Sequence, residues 1–325
     1  MVALVLAPCR RAAAQGEGAK DTSLVALRTL TLRVDNDAFD FWEPAWDRPD
    51  EDYTSGVRIV YDNAWKPWWS SKIWTRVPRC NGSATPCVTS TAWIGQDTYT
   101  AERDSNENLE TVGARPSAGW LYYGEEYRRV SADRADLLDL TFGVTGPPSL
   151  AQYTQELAHS FAPTLNGPID WKHQLAFEPG VIAAYEHDEI VTVLSLDAVA
   201  LQVIPSATAT VGNVLTEGTA KVQARLGYNM KNPWLPALKD SPIEFAATAS
   251  IAGNAVARDL FLDGNTFRKG PRVGHEPFYG ERDLGLSLTN GSFTIGYRTV
   301  FDARTYATGR PHAWSSLIAG WALHR

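Results

Sequence analysis

The sequence lacks any long apolar run. None of its segments approaches the roughly 18 consecutive apolar residues that a membrane-spanning helix needs, and its mean hydropathy is -0.24. These features exclude a helical membrane protein. They do not exclude a transmembrane β-barrel, because a barrel strand needs only about 10 residues that alternate between apolar and polar.

Positive charge is also in short supply. The chain has 30 Lys and Arg residues against 37 Asp and Glu residues, which gives a net charge of -7 and no support for nucleic-acid binding. Aromatic residues, by contrast, are plentiful, with 12 Trp, 12 Tyr and 11 Phe. They suit the aromatic girdles of a membrane barrel, and they would equally suit a large aromatic core.

Only three cysteines are present. Cys9 lies within residues 1–14, whose apolar run and small residues up to Ala14 indicate an export signal without the usual basic start. Residues 24–325 are then expected to form a single domain. Cys80 and Cys87 flank a short turn-forming segment, and an exported protein favours a disulfide between them. A metal-binding pair is the less favoured alternative, because no further Cys or nearby His completes a site.

Alternating segments separated by turn signals recur along the chain and predict an all-β protein with twelve strands. The predicted strands are residues 27–36, 54–63, 91–100, 118–130, 136–145, 173–187, 190–205, 219–230, 243–258, 278–288, 292–302 and 312–323. An even number of antiparallel strands with one apolar face can close into a barrel, which leaves no unpaired edge in lipid. A soluble β-sandwich has the same local pattern, so the alternation alone does not decide between the two.

One segment, residues 146–161, departs from the β pattern. Ser149 followed by Gln152 matches a helix capping box. One stripe at helical spacing is apolar and another is polar; the apolar stripe is Leu150, Tyr153, Leu157 and Phe161, and the polar stripe is Gln152, Gln155, Glu156 and His159. We therefore expect a short amphipathic helix in the loop after the fifth strand. Its apolar stripe would pack on the barrel or lie among acyl chains, while its polar stripe faces a site.

Small oxygen-bearing side chains mark the ends of the first two predicted strands. Asn36 and Asp37 stand where the first strand ends, and Thr54 stands where the second begins. If the N-terminus lies in the periplasm, these residues fall at the external rim of the barrel, and residues 64–90 fall on the periplasmic side. These residues also have non-functional interpretations. Asn36 and Asp37 can be an ordinary turn pair, and Thr54 can be present because threonine favours β-strands.

Six motifs occur in a fixed order along the chain, and together they are similar to one known family. The motifs are Asn36-Asp37 with Tyr53-Thr54-Ser55-Gly56; Gly95-Gln96 with Tyr99-Thr100; RPSAGWLY at residues 115–122; Gly146-Pro147 with Gln155 and His159; WKHQL at residues 171–175 with Glu178-Pro179; and VARDLFLDGNTF at residues 256–267. They resemble the LpxR-type lipid A deacylases of the Gram-negative outer membrane over nearly the whole mature chain.

The resemblance implies a twelve-stranded antiparallel transmembrane β-barrel with a short helix in an external loop. It also implies a calcium-dependent esterase that removes the 3′-linked acyloxyacyl group of lipid A in the outer leaflet. The expected partners are lipid A or lipopolysaccharide and outer-membrane lipid, with no nucleic acid, and the expected state is a monomer in the outer membrane. The acyl chain released is left open.

The resemblance also assigns roles to individual residues. His159 would be the general base that activates water, since imidazole is the side chain best suited to proton transfer in neutral water. Asp37 and Asn36 would supply oxygen ligands to Ca²⁺, with the metal or the Asn36 amide stabilising the oxyanion. Thr54 would hydrogen-bond within the site. The ordinary alternative for His159 is a capping or surface histidine.

Two positions depart from the family pattern. The family has a Lys on the loop after the third strand, where this chain has no Lys in residues 101–117; Arg103 is the early cation there and is expected to bind the substrate headgroup. The family also has a Glu just after the helix histidine, where residues 160–168 contain none; Glu156, one turn earlier, is expected to replace it in part. These departures bear on substrate preference and on activity.

Two other functions fit the same sequence. One is a different barrel lipid hydrolase, such as a phospholipase with a Ser–His–Asn triad that uses Ser55 or Ser160. The other is a non-enzymatic porin or adhesin, which would need neither calcium nor His159.

Overall fold

The computed structural model describes residues 26–41, 52–82, 84–101, 113–161, 171–239 and 241–323, and most of them lie in antiparallel strands. The strands are β1 Arg28–Asn36, β2 Asp52–Asp62, β3 Cys87–Thr100, β4 Ala118–Val130, β5 Arg134–Thr145, β6 Glu178–Glu189, β7 Val191–Leu196, β8 Val199–Gly212, β9 Leu215–Tyr228, β10 Glu244–Asp259, β11 Phe278–Thr289, β12 Phe293–Asp302 and β13 His312–Leu323. The α-helices are α1 Ala151–Phe161 and α2 Leu260–Asp263, and short 3-10 turns cover Asp37–Phe39, Trp68–Ser70 and Pro147–Ser149.

The sheet closes on itself. Apart from β6 and β7, each strand pairs antiparallel with its neighbour along the chain, and β1 pairs with β13. β6 and β7 are two pieces of one strand, because both pair with β8 in a continuous register, Asp188 with Ser206 and Val191 with Val203. The wall therefore has twelve strands, and the predicted closed barrel is confirmed.

The predicted turn at residues 188–189 is wrong. The chain runs straight on there, with the Ile190 amide donating to the Asp133 carbonyl at 2.7 Å. The turn comes at Asp197, which has a left-handed φ of 49°, and another follows between β8 and β9. Asp188 and Glu189 look like turn residues locally, but β8 supplies a pairing partner beyond the end of β5, and this pairing keeps the strand extended. The sixth strand also begins later than predicted, at Glu178.

The two faces of the wall differ in polarity. Residues that point outward are apolar and exposed; they include Val57, Ile59, Ile94, Val222, Ile251, Leu284, Leu286 and Ile295. Residues that point inward are largely charged or polar, such as Arg33, Asp35 and Arg58. A soluble sandwich would bury its apolar face, so this arrangement is that of a membrane barrel and excludes the sandwich alternative.

A hydrogen-bonded network runs along the lumen face of the first four strands. Arg58 Nη2 donates to Tyr122 Oη at 2.7 Å, and Tyr122 Oη donates to Asp97 Oδ1 at 3.1 Å. Tyr53 Oη in turn donates to Asp35 Oδ2 at 2.9 Å. This network lines a cavity of about 410 Å³ toward the end of the barrel where β1 finishes, which is called the site end below.

The opposite end of the barrel carries the disulfide and is called the disulfide end. Cys80 and Cys87 are bonded, as predicted, and they pack with Val130 and Trp234 in a small apolar cluster. A second lumen cavity of about 670 Å³ lies at this end.

Neither α-helix among the described residues is long and apolar enough to cross a bilayer.

Candidate functional site on the outer wall

Asn36 joins the end of β1 to the start of β2. Its Nδ2 donates to the Thr54 carbonyl at 3.1 Å, and its Oδ1 accepts from the Ala38 amide at 2.8 Å. The second bond caps the 3-10 turn that begins at Asp37. One side chain therefore fixes both the path of the chain after β1 and the position of Asp37.

Thr54 is buried at a bulge. The β2–β3 register shifts between Tyr53 and Ser55, and a bulge of this kind re-aims the side chain of the extra residue. The Thr54 hydroxyl lies 2.6 Å from the Thr100 hydroxyl, and either can be the donor. The structure thus brings Asn36 and Thr54 together, as predicted.

Two carboxylates are buried beside this pair. Asp37 is 1% exposed and Asp40 is fully buried. Asp40 Oδ1 accepts from Ser315 Oγ at 2.7 Å, and this serine also lies 3.0 Å from the Thr299 hydroxyl. Buried carboxylates are costly in free energy unless donors or cations surround them. The prediction of site residues missed Asp40, and its position three residues after Asp37 on a 3-10 turn is the signal that could have indicated it.

Calcium fits the described residues only in part. Ca²⁺ takes six to eight oxygen ligands, yet the described chain holds no group of three or more His, Cys, Asp or Glu side chains arranged around one point. Asp37 offers a carboxylate, while the side-chain oxygen of Asn36 is already used by the Ala38 amide. The described side chains alone therefore do not complete a calcium site.

A row of small residues, three of them polar, crosses four strands at the site end. Asn36 pairs with Ser55, Ser55 with Thr98, and Thr98 with Gly119. Their neighbours in sequence, such as Asp35 and Asp97, line the lumen, so this row points out of the barrel. The candidate site therefore lies on the outer wall.

Helix α1 is fastened to the far end of this row. Gln96 Nε2 donates to the Ser149 carbonyl at 2.6 Å, and Thr154 Oγ1 donates to Gln96 Oε1 at 2.6 Å. Gly119 allows the close approach, because a Cβ at that position would overlap Ser149 Oγ and Ala151 Cβ. The predicted helix is confirmed, and it lies against the outside of β3 and β4.

The helix turns only part of its polar stripe, Gln155 and His159, to the wall. Ala151 and Gln155 are buried and His159 is half-buried, and these positions recur every four residues on one face. The apolar stripe faces away, with Tyr153 64% and Leu157 45% exposed. Of the two expected places for this stripe, packing on the barrel is wrong, and the exposed stripe is free to contact lipid.

Gln155 was not among the predicted site residues. It is 5% exposed, and neither its Oε1 nor its Nε2 has a hydrogen-bond partner among the described residues. A buried amide in this state is costly, so its two polar atoms are available to a ligand between the helix and the wall. Its spacing of four residues from His159 is the sequence signal that could have singled it out.

Glu156 is exposed, and its Oε1 accepts from Gln152 Nε2 at 2.9 Å. It therefore lies off the wall-facing stripe that carries His159. The same bond shows that the predicted capping box is wrong, since Gln152 reaches forward along the helix and Ser149 Oγ donates to the Gly146 carbonyl. Arg103 lies outside the described residues.

A family model and one solved structure support this architecture. A family model described as outer membrane protein LpxR matches residues 1–323. The solved structure of LpxR from Salmonella typhimurium aligns with a TM-score of 0.73 at 17% identity, covering 91% of this chain and 100% of that one. The β-domain of the Bordetella autotransporter BrkA aligns at 0.47 with 10% identity, covering 92% and 100%. No curated protein matches. The chain thus belongs to the LpxR family of outer membrane proteins.

Proposed function

We infer that this protein is a lipid A 3′-O-deacylase that hydrolyses the 3′-linked acyloxyacyl ester in the outer leaflet. The observation that carries the proposal is the position of the site. Asn36, Thr54, Gln155 and His159 lie on the outside of the barrel wall, at one end, beside exposed apolar side chains. An ester in the bilayer can reach that surface directly, whereas a lumen site would serve a water-soluble substrate.

His159 is assigned as the general base. It lies on the wall-facing stripe of α1, one turn beyond Gln155, and its imidazole can take a proton from water at neutral pH. A base held on a helix that is fastened through Gln96 keeps its place relative to the wall.

Asn36 is assigned to the oxyanion. Its amide nitrogen carries two hydrogens, and one of them is used in the bond to the Thr54 carbonyl. The other can donate to the ester oxygen as charge develops there. Thr54, bonded to Thr100, fixes the carbonyl that orients this amide.

The exposed apolar stripe of α1 is assigned to the acyl chains. Leu150, Tyr153 and Leu157 are 55%, 64% and 45% exposed and face away from the wall. Arg103 is proposed to hold the headgroup phosphates, because arginine pairs with phosphate in a bidentate fork. Glu156 is proposed only as a contact at the edge of the substrate, given its position off the wall-facing stripe.

A calcium requirement is part of the proposal, with Asp37 as a ligand and Asn36 beside it. Asp37 is a buried carboxylate at the site, and Ca²⁺ prefers carboxylate oxygens. Deacylation measured with added Ca²⁺ and with a chelator tests this requirement. Full activity in the chelator would show that calcium is not needed.

The experiment that tests the function is mass spectrometry of lipid A from cells with and without the protein. Loss of one acyloxyacyl group from lipid A in the expressing cells is the expected result. Ser55→Ala and Ser160→Ala should leave this loss intact, because the proposed nucleophile is water. Unmodified lipid A in cells that contain the folded barrel would contradict the proposal.

A further inference from the structure

The connection between β2 and β3 differs in composition from the rest of the chain. In a protein of net charge -7, residues 64–79 contain four tryptophans and four cations and no acid. These residues are called the basic tryptophan segment below. Its cations are Lys66, Lys72, Arg76 and Arg79, and its tryptophans are Trp65, Trp68, Trp69 and Trp74.

The segment is fastened to the outer wall by a single outward-facing acid. Glu125 on β4 pairs with Ala92 and shares the outward face of Tyr123. Trp65 Nε1 donates to Glu125 Oε1 at 2.8 Å and Trp69 Nε1 donates to Oε2 at 3.0 Å. Tyr123 Oη also donates to Oε1, at 2.8 Å. A carboxylate facing lipid is unfavourable, and these donors together with the covering segment leave Glu125 only 4% exposed.

Further contacts hold the segment flat. Ser90 Oγ donates to the carbonyls of Ala64 and Trp65 at 3.0 and 2.7 Å. The rings of Trp69 and Trp74 pack on Tyr127, at centroid distances of 6.5 and 5.3 Å. The segment therefore lies on the outside of β3 and β4, at the disulfide end, and not in the lumen.

The outer surface of the segment is left uncovered. Trp68 is 73% exposed and Trp65 is 54% exposed. Lys72 and Arg76 are exposed as well, and neither makes an ion pair with any residue that the structure describes. Arg79 differs, because its guanidinium donates to the Ala64 carbonyl and supports the segment itself.

The surroundings of the segment indicate what covers it. Its exposed rings continue the apolar outer band of the barrel, in which Ile59 and Ile94 are 43% and 52% exposed. Tryptophan rings favour the boundary between acyl chains and headgroups, and lysine and arginine near that boundary are attracted to anionic lipid. Exposed rings stand beside cations that have no ion pair among the described residues, and this combination suits a ligand in which an acyl chain is joined to a phosphate.

We propose that the basic tryptophan segment binds the headgroups of anionic phospholipids, with Lys72 and Arg76 on the phosphate and Trp68 at the acyl boundary. The site end carries the proposed lipid A site, so the disulfide end faces the opposite leaflet, which contains phospholipid; this choice of leaflet rests on the proposed function. By binding these headgroups at the disulfide end, the segment would fix how deeply the barrel lies in the membrane.

Native mass spectrometry of the full chain in detergent, titrated with phosphatidylglycerol or phosphatidylcholine, tests the proposal. The test variant is Lys72→Gln with Arg76→Gln, and the control is Lys269→Gln with Arg272→Gln, which removes two exposed cations at the site end. The test variant should lose at least about fivefold of its phosphatidylglycerol affinity, while the control keeps it. Equal phosphatidylglycerol affinity in the test and control variants would overturn the proposal. So would a test variant that loses as much affinity for phosphatidylcholine as for phosphatidylglycerol.

Two further measurements separate this proposal from the proposed function. Purified lipid A should bind the test variant as it binds the parent; a loss confined to lipid A would overturn the phospholipid assignment. Deacylation of lipid A should also be unchanged in the test variant, and this rate reports on the outer-wall site alone. Trp68→Ala should weaken binding of both phospholipids, because it removes the acyl contact and leaves the charges in place, and unchanged binding would contradict its assigned role.

Discussion

His159 is the residue on which the proposed chemistry depends. We expect His159→Ala to lower the deacylation rate by about 10²–10⁴-fold and to leave the barrel folded, because the side chain is only half-buried. Release of the acyloxyacyl group from lipid A in mixed micelles, followed by mass spectrometry, measures the rate. Glu156→Gln is the matched control on the same helix, and it should change the rate far less. Near-normal activity in folded His159→Ala would show that another residue is the general base.

Asn36 has two roles that substitutions can separate. Asn36→Asp keeps an oxygen to cap the 3-10 turn but loses the amide that donates to the Thr54 carbonyl. It should therefore fold normally and lose most activity. Asn36→Ala loses the cap as well, so it should also lower the free energy of unfolding by about 1 kcal/mol. Denaturant unfolding alongside the rate assay separates the two, and full activity in Asn36→Asp would rule out the oxyanion role.

The sequence could predict only some of the site. The proximity of Asn36 and Thr54 could be predicted, because antiparallel pairing of the first two strands places the end of one beside the start of the other. Gln155 was not singled out, since burial against the wall depends on how the helix lies. Glu156 falls off the wall-facing stripe for the same reason: one helical residue of difference turns a side chain by about 100°.

The position of α1 against the wall depends on Gly119, because this residue has no side chain to keep the helix away. Gly119→Val should push the helix off β4, because even a Cβ there overlaps Ser149 and Ala151. Displacing a catalytic group by about 1 Å can cost 10²-fold in rate, so we expect a loss of that order in a folded barrel. Gly218→Val is the matched control, since the described residues leave open space around that position. Equal rates for the two variants would show that the helix position does not matter.

The connection after α2 is held by an acid whose ionisation is pH-dependent. Burial acts to raise the pKa of the Asp263 carboxyl, but hydrogen bonds from the Asp259 amide and from the His275 ring and amide outweigh it and set the pKa below its ordinary value. A lowered folded-state pKa means that the stabilisation is complete above the unfolded value of about 4 and is lost as pH falls through the folded value.

We therefore expect residues 264–277 to open as the pH is lowered below about 4. Pepsin cleavage in this stretch, located by mass spectrometry at pH values on either side of the transition, measures the opening. Asp263→Asn should be cleaved more readily than the parent at the higher value, where Glu178 still accepts from Asn265 and Thr266. An unfolded peptide substrate corrects for the pH dependence of pepsin. Equal pH dependence in parent and variant would contradict the assignment.

At the scale of strands, number and type were predictable and some boundaries were not. Alternation is a local property, so twelve strands could be counted before any pairing was known. The sixth strand shows the limit. Asp188 and Glu189 have the composition of a turn, but the strand continues because β8 pairs with the residues beyond them. Such a partner is distant in sequence, and no local pattern reveals it.

The whole molecule has its apolar residues outside and its charges inside. Purified protein should therefore require detergent, give a β-type circular dichroism spectrum and migrate differently on gels with and without heating. Heated samples serve as the control, because they report the unfolded chain. A monomer that stays soluble without detergent would contradict the membrane barrel.

The lumen network has a consequence for the reaction outside. Successive residues of a strand point to opposite sides, so Asp35, Tyr53 and Asp97 stand directly behind Asn36, Thr54 and Thr98. The wall is one residue thick, and the groups that face lipid share their backbone with groups tied together in the interior. Hydrogen bonds between side chains in the lumen therefore fix the relative positions of the outward-facing residues on the same strands. Substitutions in the lumen that break these bonds would shift the shared backbone, and they would thereby change how the outward-facing residues meet the substrate.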